Sequence, residues 1–359
     1  MRVDRELTTE QLAAFGAELD DLRQRTRADL GEADARYIRR IRTAMRFCCW
    51  SGRALLLFGW FPPTWLLGSA LLSVGKILEN MELGHNVMHG QYDWMNDPEF
   101  FGRTYEWDIA IPSAHWRNTH NHSHHAYTGV LRMDDDIGYG LARLFPEQRW
   151  KPFYRLQSLW LGIAALLFEF AAAVQHLRLD QVYKGRMSRA ELAPRLRQFN
   201  AKVSRQLLKD YLFFPLLALL LGANALAVLA GNLVANIIRN LWLALMVFCS
   251  HFTERAVVFP REVVEGESRA HWYLRQLRGA SNLEGGPLFN ILSGNVTYHI
   301  EHHLFPDLPA CRYAAMAVEV REIAERYGQV YNSGRFGEQF AAVLRRIRLY
   351  RLPSDPQVA

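Results

Sequence analysis

Apolar and polar residues fall in long blocks along this chain. Residues 8–46 are polar and predict one or two helices lying close to a membrane surface. Residues 47–83 are mostly apolar and are broken only at Pro62-Pro63. A membrane-crossing helix takes about 20 residues. The block therefore predicts a hairpin of two short spans turning near the prolines, in preference to one kinked span over 54–74. Arg53 falls inside the first span, where a charge must pair or reach the interface. Residues 85–150 are polar, and 156–176 are apolar apart from Glu169. After a charged stretch, 211–229 and 233–250 predict two more spans, separated at Gly231-Asn232. Arg239 in the last of these should face the bundle or a cavity. The remainder is polar, with amphipathic helices expected near 314–327 and 338–350.

These blocks predict an all-α, integral-membrane chain. A helical arm (1–46) precedes a first membrane hairpin (47–84). A cytosolic region (85–210) separates it from a second hairpin (211–250), and a cytosolic C-terminal region (251–359) completes a helical cap. The composition agrees: half the residues are hydrophobic, yet mean hydropathy is only -0.11, as expected of a chain shared between lipid and water. The net charge of +6 forms no single stripe, so a lipid bilayer is expected as partner and nucleic acid is not. Arg36, Arg39, Arg40, Arg42 and Arg46 precede the first apolar block, which places the arm in the cytoplasm. Four cysteines form no CxxC pair and read as small buried apolar residues. Residues 1–40 show no cleavable leader pattern.

Histidine is the informative residue. Nine of thirteen histidines fall in three short windows, HNVMH, HNHSHH and HIEHH. Residues four apart share a helix face, so His85/His89 and His120/His124 each direct two imidazoles at one point. His299 and His303 do the same, with His302 on the same side. The paired rings at His124-His125 and His302-His303 lie about 100° apart, which lets one helix serve two ions. Neutral imidazole suits iron, zinc, copper or nickel, and scarce cysteine argues against thiolate sites.

Parity brings the windows together. Two spans separate the second window from the third, so both emerge on one face, provided that 156–176 is interfacial or buried and does not cross. His251 follows the last span on that same face and joins the candidate ligands. His115, His122, His176 and His271 lack such placement, and His122 faces away from His120.

The stretches HNVMH, WRNTHNHSHHAYT and NVTYHIEHHLFPDLP resemble the membrane-bound fatty-acid desaturases with their three histidine boxes. ENMELGHNVMHGQYDWMNDP is similar to bacterial, actinobacterial-type acyl-CoA desaturases, and the resemblance covers about 45–335. It implies a four-helix bundle of two hairpins with a cytosolic cap holding two iron ions. The implied ligands are His85 and His89, then His120, His124 and His125, then His299, His302 and His303, with His251 after the last span. Glu82, Glu301, Asp135 and Asp136 are expected to support those imidazoles, since a metal-bound histidine usually donates its other N–H to a carboxylate or carbonyl. Asp134, in the same run, could do this or cap a helix. His299 stands where family members acting between an existing double bond and the carboxyl end carry Gln, which tilts the reading away from them.

The activity implied is O2-dependent desaturation of a long fatty-acyl chain, carried by CoA or lipid. A haem motif of the HPGG type is missing, so electrons should come from a separate ferredoxin-, rubredoxin- or reductase-type protein. The expected location is a bacterial inner membrane with the site on its cytoplasmic face. A hydroxylase or alkane monooxygenase on the same scaffold is the nearest alternative. A metal transporter would hold its ligands at mid-bilayer, whereas these histidines lie at span ends and in polar regions.

Overall fold

The structure is a computed structural model that describes residues 5–353. Its helices include α1 (Thr9–Ala28), α2 (Glu32–Leu57), α3 (Pro62–Leu78), α4 (Ser113–Trp116), α5 (Gln157–Leu166), α6 (Phe168–Gln175), α7 (Arg189–Leu208), α8 (Phe214–Leu220), α9 (Ala225–His251), α10 (Arg269–Gly279), α11 (His299–Leu304), α12 (Tyr313–Arg326) and α13 (Phe336–Leu349). The described strands are two short parallel ones, Asn282–Glu284 and Ser333–Arg335.

α2 and α3 form the expected hairpin, with Pro62 and Pro63 opening α3, where a missing N–H removes no helical bond. α2 crosses position 46 without a break, so the change from polar arm to apolar block happens along one continuous helix. α9 packs on α2, α3 and α8. Their shared core is Leu56, Leu72, Ala218, Val228 and Ala235.

The second hairpin turns earlier than the sequence pattern suggested. α7, a π-helical turn Lys209–Phe213 and α8 run on continuously. The chain then reverses at Gly222, whose φ is +71°, and Asn224 caps α9 by accepting from the Ala227 N–H. Gly231 and Asn232 lie inside α9. A Cβ on Gly231 would sit 2.4 Å from Leu56 Cδ2, so this glycine serves close packing and breaks no helix.

Charges in the apolar blocks are paired inside the bundle. Asp210 takes Lys76 at 2.7 Å and Arg53 at 3.1 Å, and Arg53 also lies 3.5 Å over the Phe214 ring. Arg239 is buried against Glu169 at 2.6 Å. Among the described residues, α9 alone is long and apolar enough by itself to cross a membrane. Half of α2 is polar and α3 has only 17 residues. The apolar stretch 156–176 forms α5 and α6, in two arms, Pro152–Leu166 and Phe168–Tyr183, bent by 104°.

α1 packs into the polar half of the molecule. Phe15, Leu19 and Leu22 are buried beside Tyr273, Tyr313 and Val320, and Arg23 pairs with Asp307 at 2.6 Å. The two C-terminal helices, α12 and α13, fall within two residues of their expected bounds.

Candidate metal centre

Three helical segments and the end of α9 converge at the junction of the bundle and the polar half. The first histidine window lies where α3 gives way to a π-helical turn, Glu79–His85. The second lies on another π-helical segment, Arg117–His124, which continues α4. The third is α11 itself. A π turn bonds i to i+5, so its wider loop swings residue i+5 back toward i. The result is visible at His120, whose Nε2 lies 3.2 Å from His125 Nε2.

The nine candidate histidines form one continuous cluster. Ring nitrogens of His85, His89, His120 and His302 lie mutually within 4.8 Å, as do those of His124, His251 and His303. His299 Nε2 extends the second group, 2.7 Å from His251 Nε2 and 3.1 Å from His303 Nε2. His125 sits between the groups, close to both His302 and His303. Trp116 stacks on His120 at 4.4 Å between centroids.

The chemistry of this donor set fits a pair of cations. Burial pushes His89, His120, His125, His299, His302 and His303 well below the ordinary imidazole pKa, and takes His85 to about 4 and His251 to about 3. Neutral imidazole is the form that binds metal. Both ring nitrogens of His302 and the Nε2 of His89 are buried with no hydrogen-bond partner. An unpaired buried polar atom is unfavourable, and a metal ion would satisfy these.

The supporting residues are in part those expected, Asp136 among them. Asp134 takes the nearest place, accepting from His124 Nδ1 at 3.0 Å, with Asp136 at 3.6 Å from the same atom. Burial lowers the pKa of His124, but these two carboxylates more than offset it and raise it to about 9. Asp135 instead points to Arg178 at 2.8 Å. Consecutive residues of a turn face different ways, so Asp135 turns outward while Asp134 and Asp136 both approach His124. Neither glutamate is bonded to a histidine. Glu82 accepts from Tyr37 and Asn295, and Glu301 accepts from Asn282 and Tyr331.

Three supports went unread in the sequence. Asn86 Oδ1 lies 3.0 Å from His85 Nδ1, and Gln276 Oε1 and Thr128 Oγ1 lie 3.0 and 3.2 Å from His303 Nδ1. Asn86 adjoins its histidine and could have been found. Gln276 arrives on α10, which no local spacing links to α11. Outside the cluster, His122 and His271 are exposed, while His115 and His176 are buried, with Thr119 bonded to His176.

Beside the cluster lies a cavity of about 1670 Å³. Asp134, which holds His124, and Phe248, one helical turn before His251, both line it. Arg132, Arg178, Lys184 and Arg261 contribute charge to its lining, and α5, α6 and α9 contribute apolar walls.

Comparison with known proteins agrees with this geometry. A sequence profile of the fatty acid desaturase family matches residues 62–335. An NADPH-dependent stearoyl-CoA 9-desaturase of Mycobacterium tuberculosis is 45% identical over 97% of this chain and 82% of its own length. An sn-1 linoleoyl-lipid 6-desaturase of Synechocystis is 25% identical over 75% of each chain. Fatty acid desaturase 3 of Bos taurus is 24% identical over 85% of this chain and 65% of its own.

Proposed function

This chain belongs to the fatty acid desaturase family, and on that premise we propose that it introduces a double bond into a long saturated acyl chain carried as a CoA thioester. The reading rests above all on one juxtaposition. The cavity is walled by Asp134, which holds His124, and by Phe248, one helical turn before His251, so a chain lying in it comes close to the metal ligands. Breaking an unactivated C–H bond exceeds what acid–base side chains can do. Two irons held by His85, His89, His120, His124, His125, His251, His299, His302 and His303 would supply that oxidising power from O2, with electrons from a separate donor.

The protein's own part is positional. Asp134 fixes the ring of His124 so that Nε2 faces the cluster. The apolar lining from α5, α6 and α9 aligns the acyl chain and keeps water out. Arg132 and Arg261 present charge suited to the phosphates of CoA, while Arg178 and Lys184 are paired with Asp135 and Asp180. CoA as carrier is favoured by the mycobacterial relative, whose name specifies stearoyl-CoA as that protein's substrate.

We place 47–84 and 211–250 in the bilayer as two hairpins, with the remaining segments as a polar arm and cap on the cytoplasmic face of a bacterial inner membrane. Outward-facing Phe47, Trp50, Leu216, Leu219 and Leu226 support this, as does the arginine run before Phe47. Cysteines introduced near 140 and near 300 should label from the same side, and labelling from opposite sides would refute the topology. Expression in a desaturase-deficient host, with double-bond localisation by mass spectrometry, tests the activity. An alcohol product would indicate hydroxylation instead.

A further inference from the structure

The cavity wall contains a conformation that chain sterics disfavour. Gly138, Tyr139 and Gly140 adopt φ values of +67°, +52° and +70° in succession. Glycine accepts the left-handed region readily, but a bulky side chain there is a true outlier. The flanking glycines are not needed for space, since a Cβ on Gly140 would meet nothing within 4 Å and one on Gly138 only ordinary contacts. They are needed for their dihedrals, and those dihedrals carry Tyr139 between them. Strain of this kind persists only where the surroundings hold it, and it gathers at functional sites.

The held side chain lines the cavity and faces Phe248 of α9, ring centroids 6.0 Å apart and planes at 34°. Phe248 lies three residues before His251. Tyr139 lies five residues after Asp134, the partner of His124. Phe248 therefore stands on the helix that ends at His251, and Tyr139 on the loop that carries the partner of His124. Arg132, Arg178 and the apolar residues of α5 line the same cavity.

We propose that the Tyr139–Phe248 pair determines specificity, clamping the acyl chain so that one pair of methylenes lies opposite the metal ligands. This rests on the desaturase reading and adds to it the residues that set the position of the double bond. The Tyr139 hydroxyl is not required; the ring and its angle are.

Tyr139→Gly is the informative variant, because glycine relieves the backbone while removing the ring. The purified full-length protein and its variants would be given stearoyl-CoA, and both product double-bond position and bound iron measured. A single methylene in an apolar pocket discriminates by about 10-fold or more, so losing a whole ring should let a second positional isomer rise to about a tenth of product or more. Iron content should stay at the wild-type level. Tyr139→Phe should keep the wild-type position, and Phe248→Leu should also yield mixed isomers. The proposal is overturned if Tyr139→Gly keeps iron and a single isomer, or if it loses iron, since Tyr139 would then serve the metal site. Absence of any alkene from the wild-type protein would refute the desaturase reading instead.

Discussion

Replacing Asp134 by asparagine tests how the second metal group is held. Asp134 accepts three hydrogen bonds, from His124 Nδ1 at 3.0 Å, the Gly129 N–H at 2.8 Å and the Asp136 N–H at 3.0 Å. An amide has nearly the same shape; with its nitrogen in the Oδ1 place it keeps the bond from the Gly129 N–H at the other oxygen and gives up the one from the Asp136 N–H. Its nitrogen, turned toward His124, would donate to Nδ1 and shift the ring proton to Nε2. That atom points at His251, 3.1 Å away, and would no longer be free to bind metal. Loss of such a support weakens metal binding about 10- to 100-fold, or about 1.4 to 2.8 kcal/mol. The blocked nitrogen argues for the upper part of that range. Asp135→Asn is the control, because Asp135 meets the partly exposed Arg178, a kind of pair contributing at most about 1 kcal/mol. Metal per chain would be followed by elemental mass spectrometry after dialysis against graded chelator. Equal losses in the two variants, or an unchanged chelator midpoint for Asp134→Asn, would refute the assignment.

Other perturbations follow from the same contacts. His251→Ala should lower bound iron and abolish desaturation while expression holds, whereas exposed His122→Ala should keep most of both; the reverse pattern would require a new ligand set. Asp210→Asn leaves Lys76 and Arg53 buried without a counter-charge and should destabilise by about 3–5 kcal/mol, read as a lowered unfolding midpoint in detergent. Gly231→Val forces a branched side chain into Leu56 and should destabilise by about 1–3 kcal/mol; an unchanged midpoint would show that α2 and α9 are not packed so closely.

The histidines were legible because a spacing of four brings side chains together in α- and π-helices alike, so the argument from HNVMH or HIEHH did not depend on which helix formed. The π turns themselves were not legible, since no residue pattern in Arg117–His124 distinguishes them from α. They explain why His120 meets His125 as well as His124. Among the three aspartates, periodicity had no purchase: Gly129 and Arg132 have positive φ, and past such turns side-chain direction no longer follows a fixed period. The turn before α9 was readable, with Gly222 suited to a left-handed position and Asn224 to an N-cap. Gly231 misled because a glycine used for packing looks, in sequence, like a glycine used for breaking.

The outward apolar belt has a consequence for the lipid around it. On α7–α8 it runs from Leu207 to Leu221, about 21 Å at 1.5 Å per residue, and on α2 from Phe47 to the helix end at Leu57, about 15 Å. A typical hydrocarbon core is about 30 Å thick. Such a mismatch is relieved by thinning the surrounding bilayer or by residence in a thinner one, at a fraction of a kcal/mol per ångström. A locally thinned leaflet would draw the lipid headgroups toward the depth of the histidine cluster. Turnover should then vary with the acyl length of the host phospholipids.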